Sequence, residues 1–153
     1  MKEFDFFERL TQEEQEYLLK NSKYIELPKD FTLFYQGDIC NEILILKEGT
    51  VGLMMYGSIN ELIPLYEIQK GEQCIINTSS TLSNTTTIAT AQTKTAIKGW
   101  LIPSSIVKEL MIKSPTYQEY IFSIIHKTLM NLSPDNTYRK RDLLKSIERK
   151  HQL

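Results

Sequence analysis

Through the first hundred residues the apolar positions fall in short runs of strand length. These are KYIEL at 23–27, FTLFY at 31–35, ILILK at 43–47, TVGLMMY at 50–56, ELIPLYEI at 61–68, QCIIN at 73–77, TTTIATAQT at 85–93 and TAIKGWLI at 95–102. Turn signals separate most of them: Pro28-Lys29-Asp30, Gly37-Asp38, Glu48-Gly49, Gly57-Ser58 and Lys70-Gly71. Short strands at this regular spacing predict an antiparallel sandwich or roll of about eight strands. Ahead of them, Thr11 and Glu14 have the spacing of a capping box, and Tyr17, Leu18 and Leu19 give the following helix an apolar side.

After Pro103 the period lengthens to that of a helix. A short helix is expected to Lys113, stopped by Ser114-Pro115, and a longer one from about Thr116 to Leu132. On the longer helix Phe122, Ile125, Leu129 and Leu132 form one stripe, and Tyr117, Tyr120, Ile121, Ile124 and Thr128 form another beside it. A helix lying on one sheet needs a single stripe. Two stripes fit either a helix sunk deep in its own domain or one packed on the roll with one side and on the same helix of a second subunit with the other. The second arrangement is favoured, because a two-fold homodimer requires this double burial. Ser133-Pro134-Asp135 then restarts the chain as an N-cap with proline at the first helical position, predicting a basic helix over 133–153.

Length and composition fit this picture. The chain has 153 residues, 41% hydrophobic and 24% charged, and no apolar run approaches the roughly 20 residues that span a bilayer. MKEFDFFERL lacks the basic start and apolar middle of a signal peptide, so an intracellular, cytoplasmic protein without membrane attachment is expected. Cys40 and Cys74 are then expected to be free thiols. The net charge of -1 conceals an asymmetry: residues 138–153 carry six basic against two acidic side chains, which is +4 and leaves -5 for the remainder. An acidic body is a poor nucleic-acid surface, since phosphate contacts need clustered Lys and Arg.

The chemistry available is sparse. His126 and His151 are the only histidines, so a nucleophile with an adjacent base is hard to assemble, and none of the strand runs contains a histidine for a cupin-type metal centre. There is no phosphate-binding P-loop, no dinucleotide fingerprint and no C-x-x-C pair. No catalytic residues, metal or cofactor are therefore expected, and a binding or regulatory module remains.

Several motifs in order carry a resemblance. Residues 27–53, LPKDFTLFYQGDICNEILILKEGTVGL, strongly resemble the second to fourth strands of a cyclic-nucleotide-binding-type β-roll, with Gly37, Asp38 and Gly49 at its signature positions. IPLYEIQKGEQC resembles the run into that family's phosphate-binding cassette, with Gly71 and Glu72 at its Gly-Glu, and Ala91, Thr93 and WLIP continue the pattern into the helix pair. The two-helix ending is most similar to the effector domain of Crp/Fnr-type bacterial transcription regulators. The resemblance implies an α+β fold: an antiparallel β-roll, jelly-roll-like, with an N-terminal helix and a C-terminal helix pair that includes a dimerisation helix. It places that unit at 1–132 and a basic connector at 133–153.

The resemblance also implies a ligand pocket at Gly71, Glu72, Cys74, Thr85 and Thr86, and a dimer interface at Phe122, Ile125, Leu129 and Leu132. Here the sequence departs from the family. Its cyclic-nucleotide binders hold the phosphate with an arginine, whose planar fork neutralises and hydrogen-bonds it, and at the corresponding place this chain has Thr85-Thr86-Thr87. No Lys or Arg occurs from Gly71 to Thr93, while eight of the ten residues 78–87 carry hydroxyls. Glu72 reads equally as a solvated residue at a strand turn, and Cys74 as a small buried apolar residue. The expectation is a sensory and dimerisation domain that has lost cyclic nucleotide and responds to an unidentified small-molecule effector. It would meet DNA only through a helix-turn-helix outside these 153 residues. Alternatives are a true cyclic AMP or GMP receptor, a stand-alone dimerisation protein that antagonises a full-length regulator, and a metal-free cupin-like isomerase.

Overall fold

The computed structural model describes residues 1–130. Leu132 and the basic helix expected over 133–153 lie outside the described residues. The elements run α1 (Asp5–Arg9), α2 (Gln12–Asn21), β1 (Lys23–Leu27), β2 (Thr32–Phe34), β3 (Glu42–Glu48), β4 (Val51–Tyr56), β5 (Leu62–Ile68), α3 (Ile75–Ser83), β6 (Thr90–Thr93), β7 (Ile97–Pro103), α4 (Ser104–Lys113) and α5 (Pro115–Met130). The strands form two antiparallel sheets, ordered β1-β7-β3 and β2-β6-β4-β5. This is the expected α+β roll with its helix pair, although α1 precedes the capped helix and seven strands form among the described residues where eight were expected.

The difference is the run QCIIN. Its two isoleucines favour a strand, yet Ile75–Ser83 is a helix. Its poor helix formers are accommodated by bonding back to their own backbone, as Ser and Thr do inside helices. The Thr78 hydroxyl donates to the Cys74 carbonyl at 2.8 Å, the Ser80 hydroxyl to Asn77 at 3.1 Å and the Ser83 hydroxyl to Ser79 at 2.7 Å. Three of the eight hydroxyls of the run are thus engaged by their own helix. Asn84 ends α3 in the left-handed region at φ 55°, its N–H reaching the carbonyls of Ser80 and Thr81.

Strand β3 explains why the roll can carry helices on one side. Its run Ile43-Leu44-Ile45-Leu46 is buried at all four positions, whereas a sheet facing water on one side would alternate. Ile43 and Ile45 pack with Phe6, Phe7, Tyr117, Ile121 and other helix residues in one core. Leu44 and Leu46 point the other way and pack with Val51, Leu53, Ile68 and Ala91 between the two sheets. At the β3–β4 turn Gly49 has φ +94°, and a Cβ there would lie 2.5 Å from the Ala96 carbonyl oxygen, so both the backbone conformation and the space require glycine. Pro64 is tolerated in β5 because β5 is an edge strand, and a register irregularity sits opposite it at Leu53/Met54.

The helix ends follow the sequence signals. Thr11 and Glu14 form the expected capping box: the Glu14 N–H donates to the Thr11 hydroxyl at 3.2 Å and the Thr11 N–H to the Glu14 carboxylate at 3.0 Å. Ser114 separates α4 from α5, and its hydroxyl accepts from the Tyr117 N–H at 3.1 Å. Since Ile45 lies where the helical core meets the sheet, Ile45→Ala should destabilise the chain by about 2–4 kcal/mol, read as a lower urea midpoint with unchanged slope. Loss below 1 kcal/mol, roughly that of a half-exposed site, would show that the two-faced burial is not essential.

Candidate functional site

The turn after β5 is built for attachment. Gly71 sits at φ +83°, and its N–H donates to the Leu46 carbonyl at 2.8 Å. The Leu46 N–H donates to the Glu72 carbonyl at 3.1 Å, the Cys74 N–H to Leu44 at 2.9 Å, and Gln73 forms an antiparallel bridge with Ile45. Residues 71–74 therefore run beside β3 like a short extra strand before α3 begins. Helix α5 holds this segment from the other side. The Tyr117 hydroxyl donates to the Gln73 side-chain oxygen, the Tyr120 hydroxyl donates to the Gly71 carbonyl at 2.9 Å, and the Lys127 ammonium lies 3.3 Å from the Glu72 carboxylate. Burial raises both tyrosine hydroxyls well above the usual phenol range, so they remain neutral donors.

Beside this segment a cavity of about 580 Å³ opens between β4, β5 and α5. Such a volume suits a small organic ligand, for which about 300–1,000 Å³ is typical. Leu53, Met54, Pro64 and Leu65 supply apolar wall, while Glu72 and Lys127 supply charge. The Glu72 carboxylate is already engaged twice, accepting from the Gln69 N–H at 2.7 Å and pairing with Lys127. The Lys127 side chain is 58% exposed against 11% for Glu72, so the pair contributes on the order of 1 kcal/mol or less and acts chiefly to fix both groups in place. Lys94 reaches the same cavity by lying across Gly52, where a Cβ would meet the lysine stem at 2.5 Å.

The five residues expected from the sequence to share a pocket are spread around α3. Glu72 lines the large cavity and Gly71 forms the turn beside it. Cys74 lines a separate cavity of about 210 Å³ inside the roll. Thr85 and Thr86 line a surface depression of about 280 Å³ on the far side of α3, with Cys40, Thr81 and Lys108. The Thr85 hydroxyl is bonded to that of Ser83 at 2.9 Å, and the Thr85 N–H donates to Ser80 at 2.9 Å. Lys127, Lys94 and Gln69 were not expected from the sequence: each is an ordinary polar residue there, Gln69 meets Glu72 through the local turn at 69–72, and only the folding of the chain brings Lys127 to Glu72 and Lys94 to the same cavity.

The two stripes of α5 separate clearly. Tyr117, Tyr120, Ile121 and Ile124 are buried in the helical core. Phe122 is 62% and Leu129 60% exposed, with Ile125 half-buried between them. Among the described residues no three His, Cys, Asp or Glu side chains gather as a metal-holding group, and no helix is long and apolar enough to cross a membrane.

No protein-family model and no curated protein sequence matches the chain. Solved structures do. The chain is similar to a protein from Eubacterium rectale described as a Crp/Fnr-family transcriptional regulator, at 17% identity and a TM-score of 0.76 over 85% of this chain and 60% of that one. It is also similar to the catabolite activator protein of Thermus thermophilus, at 19% identity and a TM-score of 0.68 over 92% of this chain and 62% of the other. A third is the sensor domain of the transcriptional regulator DNR from Pseudomonas aeruginosa, at 16% identity and a TM-score of 0.66 over 81% of this chain and 82% of that domain. At these identities the likeness is one of fold, and the resemblance read from the sequence stands at that level: the chain has the β-roll and helix architecture of Crp/Fnr-type effector domains. It spans 60% and 62% of the first two regulators.

Two measurements test this geometry. Removing the hydroxyl in Tyr117→Phe leaves the buried Gln73 oxygen without its donor, which should lower stability by about 1–3 kcal/mol in urea unfolding. Burial pushes the Cys74 thiol up to about 12 from 9.0, so its neutral form favours the fold: that contribution is complete below pH 9 and is lost as the pH rises towards 12. At about pH 8 a thiol-specific disulfide reagent should therefore modify Cys40 in the native chain and reach Cys74 only after unfolding. Two thiols reacting at equal rates would contradict the burial of the α3 N-terminus.

Proposed function

We propose that this chain is a sensory and dimerisation domain of a Crp/Fnr-like cytoplasmic transcription regulator, without enzymatic activity, that does not hold cyclic nucleotide in the manner of that family. The observation that carries the reading is the state of Glu72. Its carboxylate is taken up by Gln69 and Lys127, and the segment from Gly71 to Thr93 offers no Lys or Arg to neutralise a phosphate. A cyclic nucleotide entering there would meet a buried carboxylate, the half-exposed Lys127 that already serves it, and Lys94 as the one further lysine of the lining. The effector site of this reading is the cavity between β4, β5 and α5. An effector that competes for Lys127 or Glu72 would loosen the hold of α5 on the turn at 69–73 and so change the position of the helix that carries the interface.

Dimerisation is supported by the stripe of Phe122, Ile125 and Leu129, of which Phe122 and Leu129 are exposed and Ile125 half-buried. Covering it with the same stripe of a second copy would remove three large apolar side chains from water. Contact with DNA then belongs to a helix-turn-helix elsewhere in the regulator.

Native mass spectrometry of the chain, alone and with cyclic AMP or cyclic GMP, tests both parts. The expected result is a dimer whose mass neither nucleotide changes. Uptake of one nucleotide per subunit at micromolar concentration would overturn the ligand reading and favour a true cyclic-nucleotide receptor. Phe122→Glu, at a position outside the core, should convert the dimer to monomer without loss of fold, and a dimer that persists would remove α5 as the interface.

A further inference from the structure

The cavity between β4, β5 and α5 is lined by four charged side chains, Glu67, Glu72, Lys94 and Lys127, whose charges cancel. Two of them are matched to each other: the Lys127 ammonium lies 3.3 Å from the Glu72 carboxylate, to which the Gln69 N–H also donates. Glu67 and Lys94 differ from this pair. Both are exposed, and neither side chain has an ion-pair or hydrogen-bond partner among the described residues.

Gly52 sets their placement. This glycine is buried in β4 and stands directly opposite Glu67 in the β4–β5 register, so a side chain at 52 would share a sheet face with that of Glu67. The stem of Lys94 takes that place: a Cβ on Gly52 would lie 2.5 Å from the lysine Cε and 3.5 Å from its Cδ. Lys94 is therefore held over the same face as Glu67 without closing an ion pair with it. Two opposite charges thus flank one glycine on the cavity wall, the ammonium with its donors free and the carboxylate with its acceptors free. Beside them Met54 and Pro64, opposite each other on the same two strands, supply apolar wall.

We propose that this cavity binds a free α-amino acid with an apolar side chain, its carboxylate on the Lys94 ammonium, its ammonium on the Glu67 carboxylate and its side chain against Met54 and Pro64. The proposal rests on the reading of this cavity as the effector site and names what the effector is. A lining whose charges cancel favours a guest whose charges cancel. A simple carboxylate or phosphate that met Lys94 would also meet Glu67, and a simple amine at Glu67 would meet Lys94. A zwitterion makes a charge-assisted hydrogen bond at each end and leaves the Glu72–Lys127 pair intact. Volume agrees, because about 580 Å³ is ordinary for a small-molecule site and leaves room for a large apolar side chain.

L-Leucine, L-methionine and L-phenylalanine are suitable probes, titrated into the full chain and followed by amide chemical shifts. At least one should bind saturably and shift residues 52–54, 64–67 and 94. It should bind about tenfold more tightly than its analogue without the ammonium, and about tenfold more tightly than its analogue without the carboxylate, the factor expected for loss of one charge-assisted hydrogen bond. Glu67→Gln should remove the advantage over the first analogue and Lys94→Met the advantage over the second; both positions are exposed, so the fold is kept. Gly52→Ala, which pushes the Lys94 stem from its seat, should weaken the amino acid as Lys94→Met does. Saturable binding by none of the three amino acids would overturn the proposal. An analogue that binds as tightly as its amino acid, with shifts in the cavity and in α5, would also overturn it while leaving the cavity as an effector site. Amino-acid binding with the expected preferences that leaves the amides of 122–129 unmoved would uphold the ligand and count against the effector role. Should Gly52→Ala fail to fold, the two analogues and the Glu67 and Lys94 variants decide the matter without it.

Discussion

Strand β3 places Ile43 and Ile45 under the helices and Leu44 and Leu46 between the sheets, so one strand joins two cores that otherwise share little. The arrangement constrains its neighbours. A strand buried on both faces must have every backbone group paired, and β3 is paired on one side by β7 and on the other by the segment at 71–74. That segment is also what α5 grips through Tyr117, Tyr120 and Lys127. Helix and roll are thus coupled through hydrogen bonds to a turn and not through apolar packing alone.

Under the proposed function, this coupling would give the domain a physical route from the cavity to the exposed stripe of α5. Lys127 faces the large cavity from one side of α5, while Phe122 and Leu129 face solvent from another. A change in what Lys127 pairs with would act on the same rigid helix that carries the exposed stripe. Coupling of this kind needs two arrangements of the element, each favoured by a different occupant of the cavity. The Tyr120 hydroxyl on the Gly71 carbonyl and the Tyr117 hydroxyl on Gln73 lie nearer the start of the helix, so movement would concentrate beyond Tyr120.

The β-strands and the C-terminal helix pair were legible because their signals are local. KYIEL reads as β1 at its observed bounds, the capping box of α2 forms as its spacing implies, and the doubled stripe of α5 divides into a buried and an exposed half. The helix at 75–83 was not legible. Ile75 and Ile76 with a hydroxyl-rich sequel have strand propensity, and what makes them helical is bonding of the hydroxyls to the preceding turn together with packing against β3, α4 and α5. That one element then decides the fate of the candidate site, because it puts Cys74, Glu72 and the threonines on different sides of itself.

The sequence by itself determined the class of fold, the lack of any cation between Gly71 and Thr93, and the existence of a helix with two apolar faces, since each depends only on residue type and period. Tertiary structure alone decided that Glu72 is neutralised by Lys127, 55 positions later in the chain, and that the hydroxyls of Thr78, Ser80 and Ser83 are spent on their own helix. It also decided that the buried Asn77 side-chain oxygen is left without a hydrogen-bond partner among the described residues. The physical reason is common to all three. Whether a polar group is free, paired or stranded depends on what the folded chain brings within hydrogen-bond distance, and for groups so far apart in sequence no local pattern records it.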